Sequence, residues 1–339
     1  MNELPVSADL WALLRDVRIL SPTTVALPGE APSDGVRLSA MRGHPRPSDP
    51  LTAALQDLIY RRCYLRRPNQ RASAPVEDPA FVAALVAANH GREGWSLGWR
   101  LEAQDQNGTI IARKGDTRVD SATGSYQVCP PAPGQQPSRE IALRASPGSL
   151  TAQRGFYFVF GTTFGDRDDE AKIARLYFNI PAASAPALVA HISGHLNAYD
   201  LPFRFKCLTE PAGYLRSDAA VLYVARRYLA SAWLILTSKP GVLENLAPTV
   251  PMWSRRLAPG LGAAEDPGAG ESFGMHRARL TAEGISAAHR RGAEDPGRRL
   301  VEIHQRFVAA GLDPARPHLN PGSADFDGLP ATAWGEVGQ

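Results

Sequence analysis

The chain has 339 residues, a net charge of +3 and three cysteines, enough for one large domain or two ordinary ones with a real buried core. So small a charge, scattered rather than striped along the chain, argues against a nucleic-acid platform. Cys63, Cys129 and Cys207 form no CxxC pair, which argues against a zinc knuckle or redox dithiol and fits reduced, cytoplasmic thiols.

The first ten residues lack a basic segment followed by an apolar run, so no signal peptide is expected. Residues 8–17 carry Leu10, Trp11, Leu13, Leu14 and Val17 at helical spacing. Residues 22–50 are rich in Pro, Gly and Ser and read as a loop. Residues 51–64 repeat the helical pattern, with Leu55, Leu58, Ile59 and Cys63 on one face and Thr52 as a candidate cap. A third helix is expected over 78–89.

The texture then changes. Residues 95–101, 109–114 and 125–129 read as strands, with Asn107-Gly108 as a turn. Residues 130–138 form a Pro/Gln/Gly joint. Strands are expected at 156–160, 174–180, 203–209 and 231–236, and helices at 185–198 and 219–229. The longest apolar stretch, 228–237, is far too short to cross a membrane, so no membrane partner is expected. Residues 238–272 are rich in Pro and Gly and read as a long irregular segment, of the kind that is functional or disordered. Helices at 272–290 and 297–310 and a loop-like tail close the chain. The expected architecture is α+β: a mixed or antiparallel sheet with packed helices in residues 136–325, a mostly helical N-terminal subdomain in 1–135, and a tail at 326–339.

Lysine occurs only at positions 114, 172, 206 and 239. On the predicted 203–209 strand, Arg204 and Lys206 share one face while Phe203, Phe205 and Cys207 take the other. Arg216 follows, with Asp218 placed to orient it. Such a cation cluster suits a dianionic phosphate, because guanidinium gives paired hydrogen bonds. A free lysine near pKa 10.4 is only about one part in a thousand neutral at pH 7.4, so a base at Lys206 needs a shift of roughly three units down. Repulsion and burial work in that direction. The plainer reading is a solvated basic strand face.

Two further groups stand out. Ser272 as a helix cap puts His276 and Arg277 in the first turns, where an anion is favoured. The plainer reading is a capped helix with solvated basic residues. His191 and His195 have i, i+4 spacing, but residue 192 is Ile where HExxH has Glu, so core-edge or solvated histidines fit better than metal ligands. No GxGxxG or Walker A sequence is present. No cofactor and no metal are expected.

Several runs together resemble the HopA-type effector family: Phe205-Lys206, Tyr214 to Tyr223, Arg175-Leu-Tyr-Phe-Asn179, Leu257-Ala-Pro-Gly260, Ala264-Glu-Asp-Pro267 and Ser272-Phe-Gly-Met-His-Arg277. The resemblance covers roughly residues 50–325. Members of that family occur as type III effectors of plant pathogens. Others resemble the lyase partner of a kinase-like protein in the making of class V lanthipeptides and thioamitides, ribosomally made peptides. The family is also distantly similar to phosphothreonine lyases of the OspF type, in which a lysine removes the α-proton, a histidine protonates the leaving phosphate and arginines hold it.

The resemblance implies a lyase that removes phosphate from phosphoserine or phosphothreonine of a precursor peptide, leaving dehydroalanine or dehydrobutyrine. Its partners would be that phosphorylated precursor peptide and the kinase-like protein. Lys206 matches the base. Where those lyases carry the acid histidine, this chain offers Tyr177 and Asn179, so the acid is either Tyr177 or His276 arriving from elsewhere. Arg204, Arg216 and Arg277 are the expected phosphate ligands. The alternative is a non-catalytic peptide- or kinase-binding module. A host-acting effector is less expected, because residues 8–17 already read as ordered rather than as a Ser-rich leader.

Overall fold

The computed structural model describes residues 7–40, 49–66, 78–115, 117–130, 139–165, 167–239, 241–268 and 270–330. The expected joint at 131–138 and the end of the tail lie outside these residues. The chain begins with helix α1 (Ala8–Asp16), a small sheet of β1 (Arg18–Ser21), β2 (Thr24–Ala26) and β3 (Ser33–Asp34), and a short α2 (Gly35–Ala40). Helix α3 (Pro50–Ile59) runs on into a single π-helical turn, Tyr60–Tyr64, and α4 (Pro79–Ala87) follows.

Strands β4 (Gly94–Gln104), β5 (Ile110–Lys114), β6 (Thr117–Ser121), β7 (Tyr126–Val128) and β8 (Glu140–Ala145) form a five-stranded sheet in the order β6-β5-β4-β8-β7. It has a small core of its own, built on Trp99, Ile110, Ala112, Ile141 and Leu143.

The central sheet comprises β9 (Gly148–Ser149), β10 (Phe156–Phe160), β11 (Ile173–Phe178), β12 (Phe203–Leu208), β13 (Ala220–Ala225), β14 (Arg255–Ala258) and β15 (Leu261–Glu265). Its order is β14-β15-β11-β13-β12-β10-β9, and every pairing is antiparallel. Short α5 (Arg167–Ala171), α6 (Ala185–Ala198) and α7 (Leu229–Thr237) interrupt it, and α8 (Phe273–Arg290) and α9 (Pro296–Ala309) follow. The result is an α+β fold with helices on both faces of one sheet.

Register decides which side chains meet. Phe158, Lys206, Val221, Tyr177 and Gly262 lie side by side across five strands. The next row on that face is Phe160, Arg204, Tyr223, Arg175 and Ala264. The opposite face carries Phe205, Leu222 and Leu176 and packs on Leu188, Val189 and Ile192 of α6 and on α7. On the first face, Tyr177, Val221 and Ala264 meet Leu55, Leu58 and Ile59 of α3, Phe273 and Ile285 of α8, and Ile303 of α9. The expected boundary at 135/136 therefore cuts through a shared core: the first helices pack with the last ones.

Capping places the helices. Ser7, Asp49, Asp78, Ser272 and Asp295 each accept a hydrogen bond from the first turn of their helix. Asp49, not Thr52, caps α3, and the Thr52 hydroxyl instead donates to Asp49.

Three expectations are corrected. The run expected as a helix at 219–229 is strand β13, buried on both faces, where an unbroken apolar run carries no period to read. The expected strand at 231–236 lies in α7, reached through a 3-10 turn at Arg226–Tyr228. The segment expected to be irregular holds the β14–β15 hairpin at the sheet edge. Its turn needs Gly260, at φ +71°, where a Cβ would lie 2.3 Å from the Ala247 carbonyl oxygen.

Candidate active site

A cavity of about 400 Å³ opens between the first sheet face, α3 and the start of α8. The sheet supplies its floor: Arg175 and Tyr177 from β11, Val221 and Tyr223 from β13, Lys206 from β12 and Phe156 from β10. Helix α3 and its π-helical turn supply one wall through Ala53, Gln56, Asp57, Tyr60, Arg61 and Tyr64, an i, i+3, i+4 stripe along a single helix face. Glu271, Ser272 and Met275 form the other wall. The Gln56 amide donates to the Met275 carbonyl at 3.1 Å and ties the two walls together.

Lys206 stands on the floor among aromatic rings. Its Nζ lies 4.5 Å from the Phe156 ring centre, 5.7 Å from Tyr223 and 5.8 Å from Phe158, within cation–π range of all three. The same nitrogen donates to Gln153 Oε1 at 2.9 Å. Position 206 alternates with buried Phe205 and Cys207, so the strand itself aims the lysine away from the apolar face.

Arg216 enters from the β12–β13 connection. Its Nε and Nη2 bond the two oxygens of Asp218 side-on, the latter at 2.8 Å, leaving Nη1 outside that pair. Burial opposes the charge on Arg216, but Asp218 more than offsets it and holds the guanidinium above its ordinary value. The connection is clamped to the π-helical turn: Ser217 Oγ donates to the Tyr64 carbonyl at 2.6 Å and the Ser217 amide to the Leu65 carbonyl at 2.9 Å. The expectation that Asp218 orients an arginine matches this geometry.

Arg175 completes the cations of the floor. Its Nε donates to Asp266 Oδ2 at 2.9 Å, and its guanidinium lies 5.2 Å from the Tyr223 ring centre. Burial opposes its charge, and Tyr177, Tyr223 and Asp266 together outweigh that. The Tyr177 hydroxyl is buried and, among the described residues, makes no hydrogen bond of good geometry, though Tyr64 and Arg175 act on it. Burial pushes its pKa up, with Arg175 pulling the other way.

The remaining expected residues lie elsewhere. Arg204 shares the face of Lys206 but lines a second cavity, of about 530 Å³, next to the first. Arg277 is fully buried. It donates to the Pro317 and Leu319 carbonyls at 2.7 and 2.8 Å and to His276 Nδ1 at 2.5 Å, so it fastens α8 to the following loop instead of reaching the cavity. His276 is not among the residues lining the cavity. Burial, then Arg277 and Arg279, lower it to about 4, which leaves it neutral and unable to donate as an imidazolium near pH 7. The Arg277 and His276 assignments are corrected on these grounds.

On α6, the His191 and His195 ring centres are 4.6 Å apart, and His191 Nε2 lies 3.0 Å from the Leu236 carbonyl oxygen. No group of three or more potential metal ligands occurs among the described residues. No helix of the described residues is long and apolar enough to cross a membrane.

Sequence reasoning passed over Arg175, Gln153 and the α3 stripe. Arg175 was detectable, because it precedes Tyr177 by two on a predicted strand and so shares its face. Gln153 lies in a loop with no pattern to read.

The HopA1 effector protein family matches residues 149–319, just over half of the chain and all of the cavity floor. Two solved structures are similar. One is the effector protein from Pseudomonas syringae pv. tomato strain DC3000, 16% identical, with 85% of this chain and 94% of that chain covered and a TM-score of 0.46. The other is the effector protein from Pseudomonas syringae pv. syringae strain 61, 14% identical, with 81% and 91% covered and a TM-score of 0.44. No curated protein matches the chain. On the extent of the family match, the chain belongs to the HopA1 effector protein family.

Proposed function

We propose that this protein is a lyase that eliminates phosphate from phosphoserine or phosphothreonine of a ribosomally made precursor peptide, after a kinase-like partner has phosphorylated it. The observation that carries this reading is the convergence of Lys206, Arg175, Arg216 and Tyr177 in one cavity. Lys206 takes the α-proton, the electrons of that C–H bond form the Cα=Cβ double bond, and the Cβ–O bond breaks to release phosphate. Arg216 and Arg175 hold the phosphoryl oxygens, each guanidinium pre-oriented by a carboxylate. Tyr177 gives its proton to the leaving oxygen.

The test is turnover of a synthetic phosphoserine peptide followed by mass spectrometry. The expected product is one water lighter than the unphosphorylated peptide. It forms without ATP or Mg²⁺, and EDTA has no effect. Lys206→Ala keeps phosphopeptide binding and loses at least about a hundredfold in rate. Lys206→Arg is equally inactive, because guanidinium stays protonated at any working pH. Wild-type turnover by the arginine variant overturns the assignment.

The second reading is a non-catalytic peptide- or kinase-binding module. It draws on the ion pairing of both floor arginines, Arg175 with Asp266 and Arg216 with Asp218, which lowers the net positive charge offered to a phosphate. Binding of phosphopeptide with no product at any pH selects it.

A further inference from the structure

The second cavity begins where the first ends. Tyr223 lines both, and Arg204, its direct cross-strand partner, projects from the same face of β12 as Lys206. Arg118 of β6 and Arg144 of β8 line the second cavity together with Arg204, and Asp169 is the one carboxylate lining it among the described residues. Asp169 is already engaged by Arg227, 2.6 Å away. Arg118 and Arg144 are paired with Glu102 at 3.0 Å and Glu93 at 3.1 Å, with both arginine side chains at least half exposed. Surface pairs of this kind contribute about 0–1 kcal/mol, so an incoming carboxylate exchanges for them at little cost. Phe160 and Pro202 give the cavity apolar walls.

We propose that this cavity is a subsite for an acidic segment of the peptide whose phosphoresidue sits at Lys206. The inference rests on the lyase reading for the identity of the group at Lys206. Spacing supports it: two residues along a strand span about 7 Å, the same as two residues of an extended peptide laid over it. An Asp or Glu two positions from the phosphoresidue therefore reaches Arg204, and further acidic residues reach Arg144 and Arg118. Arg118, Arg144 and Arg204 together favour acidic over neutral or basic neighbours, because the surface pairs of the first two exchange readily.

The test uses the full chain and fluorescein-labelled synthetic peptides at low salt. One peptide carries Asp and Glu on the N-terminal side of the target serine, one on the C-terminal side, and one has Asn and Gln in their place. Binding is first measured with unphosphorylated peptides on the wild-type protein, where no elimination can occur. One acidic peptide is expected to bind about tenfold tighter than the neutral one, a difference of about 1.4 kcal/mol. The double variant Arg144→Gln/Arg204→Gln is expected to erase that advantage and leave the neutral peptide's affinity unchanged.

Equal affinities overturn the subsite. So does an advantage that survives the double substitution, or one that a heparin fragment of equal charge competes away as well as the acidic peptide does. Elimination is then followed separately on the phosphorylated peptides. Acid preference without product overturns the lyase reading alone, and product without acid preference overturns the subsite alone.

Discussion

Tyr177 combines two properties that ordinary packing avoids. It is 1% exposed, and among the described residues its hydroxyl makes no hydrogen bond of good geometry. Leaving a buried polar group unpaired costs about 1–3 kcal/mol. Phe273 and Tyr64 surround the ring at centroid distances near 6.1 Å, so phenylalanine fits the same space. Tyr177→Phe is therefore expected to raise thermal stability and, if the hydroxyl serves the leaving phosphate, to slow elimination by at least about a hundredfold. Calorimetry and turnover on one preparation separate these effects. A variant that is less stable and fully active denies the hydroxyl its role. Lys206 illustrates the reverse case: it is held by three rings and a glutamine, contacts that anchor its stem and head without an acidic partner of its own among these.

At the scale of elements, the most informative contact is α8 against α9. Gly284 lies in the middle of α8, where alanine ordinarily stabilises a helix by about 1 kcal/mol. Here a Cβ would stand 2.5 Å from the Ile303 Cα and 2.7 Å from its amide nitrogen. Backbone atoms do not step aside as a flexible side chain does, so the two helices must part. Gly284→Ala is expected to destabilise by about 1–3 kcal/mol, read as a lower urea midpoint. An unchanged or higher midpoint shows that the helices are not packed this closely.

The elements also show why some of the structure was legible in the sequence. Helix α6 has a clear start and period, and its bounds, Ala185–Ala198, match the expectation residue for residue. Strand β12 alternates charge with bulk, so the common face of Arg204 and Lys206 could be read from spacing alone. Strand β13 and helix α7 are both nearly uniform apolar runs. Burial on both faces removes the polar half of the pattern in β13, while α7 leaves apolar Leu234 exposed, and the two were exchanged. Arg277 was misjudged for a related reason: a cation satisfied by backbone carbonyls some forty residues further on leaves no local trace. The cavity itself was half legible. Its strand residues announce themselves, whereas the α3 wall comes from a distant part of the chain and is set by packing.

That distant wall governs the molecule as a whole. The family match starts at residue 149, yet the core on the site's face is built from both sides of that point. Leu10, Leu14, Leu51, Leu55, Leu58 and Ile59 are buried there against Phe273, Ile285, Ile303 and Phe307. Each such side chain contributes about 1.5–3 kcal/mol on burial, so the six together approach or exceed a whole domain's stability of about 5–15 kcal/mol. A fragment limited to residues 149–319 is therefore expected to bind a hydrophobic dye, to lack a cooperative thermal transition and to lose elimination, while the full chain melts in a single step across its shared core. The dye separates this from simple loss of a substrate contact, because removing a wall from an otherwise folded protein leaves a sharp transition and little dye binding. A fragment with a cooperative transition and full turnover would show that the sheet and its C-terminal helices carry both the fold and the chemistry, and that the α3 stripe only borders the site.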